Sequence, residues 1–191
     1  MKRTMSIVAI LSIALTLGVS QLFAQQNAGP AGAILNHYAA RNFVAGSIPK
    51  ADLDLIIQAG IRSPSANNRQ PWYFTVVQNQ VLAKQIVSNL VDGNVLIVVS
   101  AQGDGKTNGS QILDCALAIE NIYLAAQALG YGSRIMTGPM ATLNSKFKTD
   151  LGLPSGYNAI ALVRVGKVQA GIDAVSAASS RKKTEDLVGY K

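Results

Sequence analysis

Along the chain, stretches in which apolar residues recur every three to four positions alternate with stretches in which they run together. AGAILNHYAAR, residues 31–41, sets Ile34, Leu35 and Tyr38 along one face and predicts a first helix. After Gly46-Ser47-Ile48-Pro49, KADLDLIIQAGIRS places Leu53, Ile56, Ile57 and Ile61 at i, i+3, i+4 and i+8 and predicts a second. YFTVV predicts a strand, QVLAKQIVSNL a short helix, and the unbroken apolar run NVLIVVSA a buried strand. The longest helix is expected from Gln111 to Leu129; it is apolar on most faces, hence central, and Gly130 and Gly132 close it. SRIMTG then reads as a strand, ATLNSKFKTDLG as a helix ended by Gly152 and Pro154, and YNAIALVRVG as the last strand before a polar tail. With no internal repeat and no linker, this order predicts one α+β domain.

The first 24 residues stand apart from that pattern. Lys2 and Arg3 precede SIVAILSIALTLGV and SQLFAQQ, with Ala24 in a cleavage position and no charged residue between Arg3 and Arg41. This is the layout of a secretory signal peptide, and the apolar run is short for a membrane span. Residues 1–24 are therefore expected to be removed and 25–191 to form the domain, exported and periplasmic, with no stable membrane insertion after cleavage. Without Lys2 and Arg3 there remain 15 basic and 10 acidic residues, a net charge of +5. The basic residues are scattered except for Arg181-Lys182-Lys183, which argues against nucleic acid as a partner.

Most of the usual chemical motifs are missing. The chain has one cysteine, Cys115, and one histidine, His37, so no disulfide, zinc or Ser/His/Asp constellation is indicated. GDGKTNG, residues 103–109, lacks the spacing of a phosphate loop and reads as a surface turn. Cys115 lies among Leu113, Ala116 and Leu117, as a small core residue does. Asp114 and Glu120 on the long helix make no carboxylate pair.

SPSANNRQPWYF, residues 63–74, is more informative. A turn needs Pro64 and Ser65, but not Asn67, Asn68 and Gln70 as well, whose amides donate and accept together. Pro64-Ser65-x-x-Asn68-x-Gln70-Pro71-Trp72 resembles the best motif of the nitroreductase family of FMN flavoproteins. The long helix, with Asp114, Asn121, Ala125, Ala126 and Leu129-Gly130, supports the resemblance. So does Leu151-Gly152-Leu153-Pro154 ahead of the strand ending in Val165-Gly166.

The resemblance spans about Leu35 to Val188 and implies an α+β homodimer. Its central, mainly antiparallel sheet would be flanked by helices, with two FMN sites at the subunit interface. Arg41 resembles the basic residue that binds the FMN phosphate, Arg181 a C-terminal phosphate ligand and Lys182 its helper; His37 and Tyr38 belong to the same segment. Pro64, Ser65, Ala66 and Asn68 resemble the loop that meets the flavin from the partner. Met136, Thr137 and Gly138 resemble the segment packed on the isoalloxazine, with a backbone N–H of Thr137 or Gly138 near N5. No side chain is implied as the catalytic group. Gln70, Pro71 and Trp72 would lock the loop to the strand behind it, and Asn67 and Arg69 fall at variable positions.

Two departures qualify the pattern. Where the family has Arg, Ser and a second basic residue at alternating positions, this chain has His37, Ala39 and Arg41. The stretch from Trp72 to Gly138 is also short, which implies an open pocket. The implied function is an FMN-dependent oxidoreductase that passes two electrons to a small acceptor such as a nitroaromatic or a quinone, from a donor not specified by the sequence. The alternative is a non-catalytic exported flavin-binding protein with a degraded phosphate site.

Overall fold

A computed structural model describes residues 29–103, 108–169 and 181–191. The chain divides into two compact units, residues 1–37 and 38–191. The segment expected to be a signal peptide lies outside the described residues. Among the described residues no helix is long and apolar enough to cross a membrane.

In the first unit, α1 spans Pro30–Leu35, with Pro30 in the first turn where its missing N–H is harmless. Asn36 ends it: its backbone N–H and its side-chain Nδ2 both donate to the Gly32 carbonyl. The expected helix through Arg41 therefore stops six residues early.

In the second unit, residues 38–42 are non-helical. The backbone of Tyr38 is held at both ends by Gln127, which accepts its N–H at 3.1 Å and donates to its carbonyl at 2.9 Å. The Ala40 N–H donates to the Ser133 carbonyl at 2.9 Å. These tertiary bonds override the helical preference of an alanine-rich segment.

The strands are β1 (Phe43–Val44), β2 (Trp72–Val77), β3 (Val95–Gln102), β4 (Gly132–Met136) and β5 (Tyr157–Val168). They form a five-stranded antiparallel sheet in which β5 is central: β3, β4 and β1 all pair with it, and β2 pairs with β3. The helices of this unit are α2 (Lys50–Ile61), α3 (Gln80–Ile86), α4 (Gly109–Ala128) and α5 (Met140–Lys146), with 3-10 turns at Ala66–Asn68 and Thr184–Asp186.

Because successive side chains on a strand point to opposite faces, β3 feeds two cores at once. Val95, Ile97 and Val99 join Leu53, Ile56, Ile119 and Ile122 in the first, under α2 and α4. Leu96 and Val98 join Ala83, Leu143 and Leu151 in the second, under α3 and α5. An apolar run without alternation is thus explained by burial on both faces. α2 and α4 approach closely at Gly60, where an added Cβ would come within 2.7 Å of Ile122. α4 is central on one side only: Cys115, Ala118, Ile119, Ile122 and Ala126 are buried, while Leu113 and Leu117 are exposed.

Candidate functional site

The loop between α2 and β2 is held in an unusual backbone shape. Asn67, Asn68 and Gln70 have φ of 52°, 53° and 48°, in the left-handed region that residues with a Cβ adopt at a cost. Asn tolerates it best because its short amide bonds locally; Gln has no such excuse. Two internal bonds hold the shape: the Gln70 N–H donates to Ser65 Oγ at 2.9 Å, and Gln70 Nε2 donates to Asn68 Oδ1 at 3.2 Å.

Three anchors fix the loop to α4. Asn121 donates to Ser63 Oγ at 2.7 Å. Asp114 Oδ1 accepts the backbone N–H of Ala66 at 2.9 Å. Arg69 pairs with Asp114 Oδ2 at 3.3 Å, donates to Ser110 at 2.8 Å, and returns Nε to the Ala66 carbonyl at 3.1 Å. Arg69, assigned no role from the sequence, is therefore the loop's outer fastener, and Asn67 is one of its left-handed residues. Asp114, named in the sequence among the long-helix residues that support the resemblance, gains its anchoring task from the structure; the available sign was a carboxylate among apolar neighbours. Gln70 braces Asn68, and Trp72 opens β2, its ring stacked on that of Phe74 two residues on at 6.2 Å.

What the loop presents to solvent is the set predicted to meet a cofactor: Pro64, Ala66 and Asn68 are exposed and Ser65 is half-buried. A cavity of about 520 Å³ opens between Arg69, Gln70, Gln102, Gln111 and Tyr157. None of the predicted site residues lines it.

The Tyr38 segment is held further along α4, by Gln127. Arg41 and Lys182 are exposed. Tyr123, near the C-terminal end of α4, senses both Tyr38 and Arg181. Its hydroxyl is pushed up mainly by burial; the Gln127 hydrogen bond pulls it down, Glu120 and Tyr38 raise it, and Arg181 lowers it. Tyr38 and Arg181 are thus each within electrostatic reach of Tyr123. Gln127 and Ser133 fix that segment, since Ser133 Oγ accepts from Gln127 at 2.8 Å and donates to the Tyr123 carbonyl at 2.8 Å. His37 belongs to the first unit, where Nδ1 meets the Ile34 carbonyl.

Met136 ends β4 opposite Leu162 and packs on the second core. The Thr137 carbonyl accepts the Met140 N–H at 3.1 Å, which starts α5. Gly138 is exposed, and a Cβ there would meet nothing within 4 Å, so its backbone is open to a ligand.

Within one chain, the loop and the Tyr38 segment are anchored well apart. The loop is anchored at Asp114, and Tyr38 at Gln127. Thirteen residues at 1.5 Å each put those anchors roughly 20 Å apart along α4. Cys115 takes no part: burial and then Asp114 push its thiol up to about 11, which keeps it protonated and inert. Among the described residues no group of three His, Cys, Asp or Glu could hold a metal ion.

The sequence profile of the nitroreductase family matches residues 34–94 and 85–167. A protein of Archaeoglobus fulgidus, named provisionally as an NADH dehydrogenase/NAD(P)H nitroreductase, is 32% identical over 129 residues, 62% of this chain and 74% of that protein. A protein of Methanothermobacter thermautotrophicus with the same provisional name is 32% identical over 113 residues, 56% of this chain and 59% of that protein. The crystal structure of a nitroreductase with bound FMN from Bacteroides fragilis superposes with a TM-score of 0.69 at 22% identity. That match covers 84% of this chain and 97% of the other. With its central antiparallel sheet, its braced loop before β2 and this match across most of its length, the chain belongs to the nitroreductase family.

Proposed function

We propose that this protein is an FMN-dependent oxidoreductase that works as a homodimer and passes two electrons to a small acceptor such as a nitroaromatic or a quinone. The observation that carries this reading is the division of the site along α4. The exposed loop is anchored at one end, the backbone leading into Arg41 is anchored at Tyr38 toward the other, and Arg181 acts on Tyr123 near that second anchor. A second copy packed with α4 reversed would bring its Pro64–Asn68 loop to the first copy's Arg41 and Arg181. The exposed Leu113 and Leu117 supply an apolar stripe for that packing.

The donor set fits FMN in its charge and its openness. Arg41 and Arg181, with Lys182, would hold the phosphate, since guanidiniums match phosphate oxygens. Tyr38 would line that end, and Ala39 offers no hydroxyl there. Pro64, Ser65, Ala66 and Asn68 would meet the ring from the partner, with Asn68 able to donate and accept at its polar edge. The segment Met136–Gly138 would pack on the ring, and its open backbone would present an N–H to N5. When bound, FMN supplies the two-electron chemistry, and the protein binds, orients and electrostatically tunes it.

The basic, apolar start of the chain supports export to the periplasm. There a soluble or membrane redox partner would be the donor, because nicotinamide cofactors are held in the cytoplasm. His37 and Ala39 favour a second reading, a flavin-binding protein without turnover.

The test uses the protein from Gln25 onward. Its visible spectrum is recorded with and without added FMN, then followed through chemical reduction and reoxidation by a nitroaromatic. Bleaching and recovery are expected. A colourless protein that ignores FMN would overturn the reading, and bound flavin that does not cycle would favour the second.

A further inference from the structure

Arg164 stands within β5, is 5% exposed, and lies directly opposite Arg134 on β4. Residues in register on antiparallel neighbours share a face at close range, so two like charges there repel. Among the described residues neither guanidinium pairs with a carboxylate; the ion pairs present involve Lys50, Arg69, Lys84 and Lys183. A buried charge lacking a counter-ion is strongly unfavourable.

The contacts Arg164 does make orient it without neutralising it. Its Nε donates to Asn94 Oδ1 at 2.8 Å, Nη1 reaches Asn89 Oδ1 at 3.5 Å, and the guanidinium lies 4.0 Å from the centroid of the Phe43 ring. Asn94 is fully buried, and its Nδ2 has no hydrogen-bond partner. That nitrogen lies over Gly166, on the same face as Arg164, where an added Cβ would come within 2.3 Å of it. The result is a cluster of donors with no acid: two cross-strand guanidiniums and an orphaned amide N–H.

We propose that Arg134 and Arg164, with Asn94 beside them, form a binding site for a phosphate group. The group enters from the side of Arg134, which is half-buried where Arg164 is enclosed. A phosphate suits the cluster better than a carboxylate, because it can carry two negative charges against two guanidiniums and accept from both at once. The site is built without Arg41 or Arg181, and its argument does not depend on the flavin reading. Inorganic phosphate and a phosphate monoester share the chemistry, so both are tested.

Thermal unfolding of the protein from Gln25 onward, at saturating FMN, is followed against sodium phosphate, glycerol phosphate and sodium chloride at matched ionic strength. A saturable rise of roughly 3 °C or more at ten times the dissociation constant is expected with phosphate and not with chloride. A monoester that matches phosphate identifies a carried group as the occupant; phosphate alone identifies the free ion. The rise should vanish in Arg164→Met, shrink in Arg134→Gln and persist in Arg41→Ala. Should Arg164→Met fail to fold, Arg134→Gln and Arg164→Lys carry the comparison. The proposal is overturned by a rise that chloride reproduces, by one that both the Arg134 and the Arg164 variants keep, or by one that saturating FMN abolishes. If the protein takes up no flavin, the same titration is run without FMN, so failure of the cofactor reading leaves this test standing.

Discussion

Arg69 and Asp114 meet at 3.3 Å, the acid with its side chain 4% exposed and the base with 43%. The pair is unequal. Asp114 is enclosed and also holds the Ala66 N–H, whereas Arg69 reaches in from solvent and is partly screened. Together they clamp the loop that would face the flavin, with Asp114 acting through the loop.

Asp114→Ala should therefore cost about 2 kcal/mol in urea unfolding, because a charge-assisted bond is lost and the Ala66 N–H loses its acceptor. Asp114→Asn, whose amide oxygen can still accept from Ala66, should keep most of that stability. Arg69→Ala should cost roughly 0.5–1 kcal/mol at most. Equal losses for Asn and Ala at position 114 would show that shape complementarity, and not the bond to Ala66, is what matters.

Left-handed residues store strain in the same loop. Gln70→Gly should be neutral or stabilising by up to about 1 kcal/mol, because glycine removes the Cβ clash at φ 48° while its N–H still reaches Ser65. Asn67→Val should cost about 2 kcal/mol, since a β-branched residue is poorest there. Melting temperatures of the two variants against the parent decide the point; a stable Asn67→Val would mean the loop adopts another shape.

For the phosphate assignment, Arg41→Ala and Arg181→Ala should each weaken FMN binding about 10- to 100-fold, the loss of one charge-assisted interaction. Riboflavin, which lacks the phosphate, should bind both variants as it binds the parent. Lys148→Ala serves as the control. A riboflavin loss equal to the FMN loss would remove Arg41 and Arg181 from the phosphate site.

Leu117→Asp should split the proposed dimer, as measured by light scattering after gel filtration, and lose FMN with it. A charge placed on an apolar helix face is not tolerated in a packed interface. A monomer that keeps full flavin content would defeat the divided-site reading.

Cys115 gives the pH dependence. Its folded pKa, raised from 9.0 to about 11 by burial and by Asp114, means the native state holds this proton more tightly than the unfolded chain. Its contribution is full below pH 9 and declines as the pH rises toward 11. The parent should lose more stability than Cys115→Ala between pH 9 and 11, and the native thiol should resist alkylation at pH 8.

Much of this was legible locally. β3 could be read from an unbroken apolar run, α2 from its spacing, and the loop from Pro64, Ser65 and three amides. Each depends on residues within a few positions of one another, where periodicity and turn chemistry operate. The family resemblance rested on the same local order.

What the tertiary structure alone decided came from distant partners. The first helix stops at Leu35, and Gln127, 89 residues away, takes over the backbone of Tyr38. Arg69, at a variable position in the motif, acquires its task from Asp114, 45 residues away. Arg164 looked like one more member of a buried strand until its register placed it against Arg134. In all three the sequence determined which groups were present, while packing determined which of them would be enclosed together. Enclosure is what makes an unpaired donor or charge costly enough to dictate its neighbours.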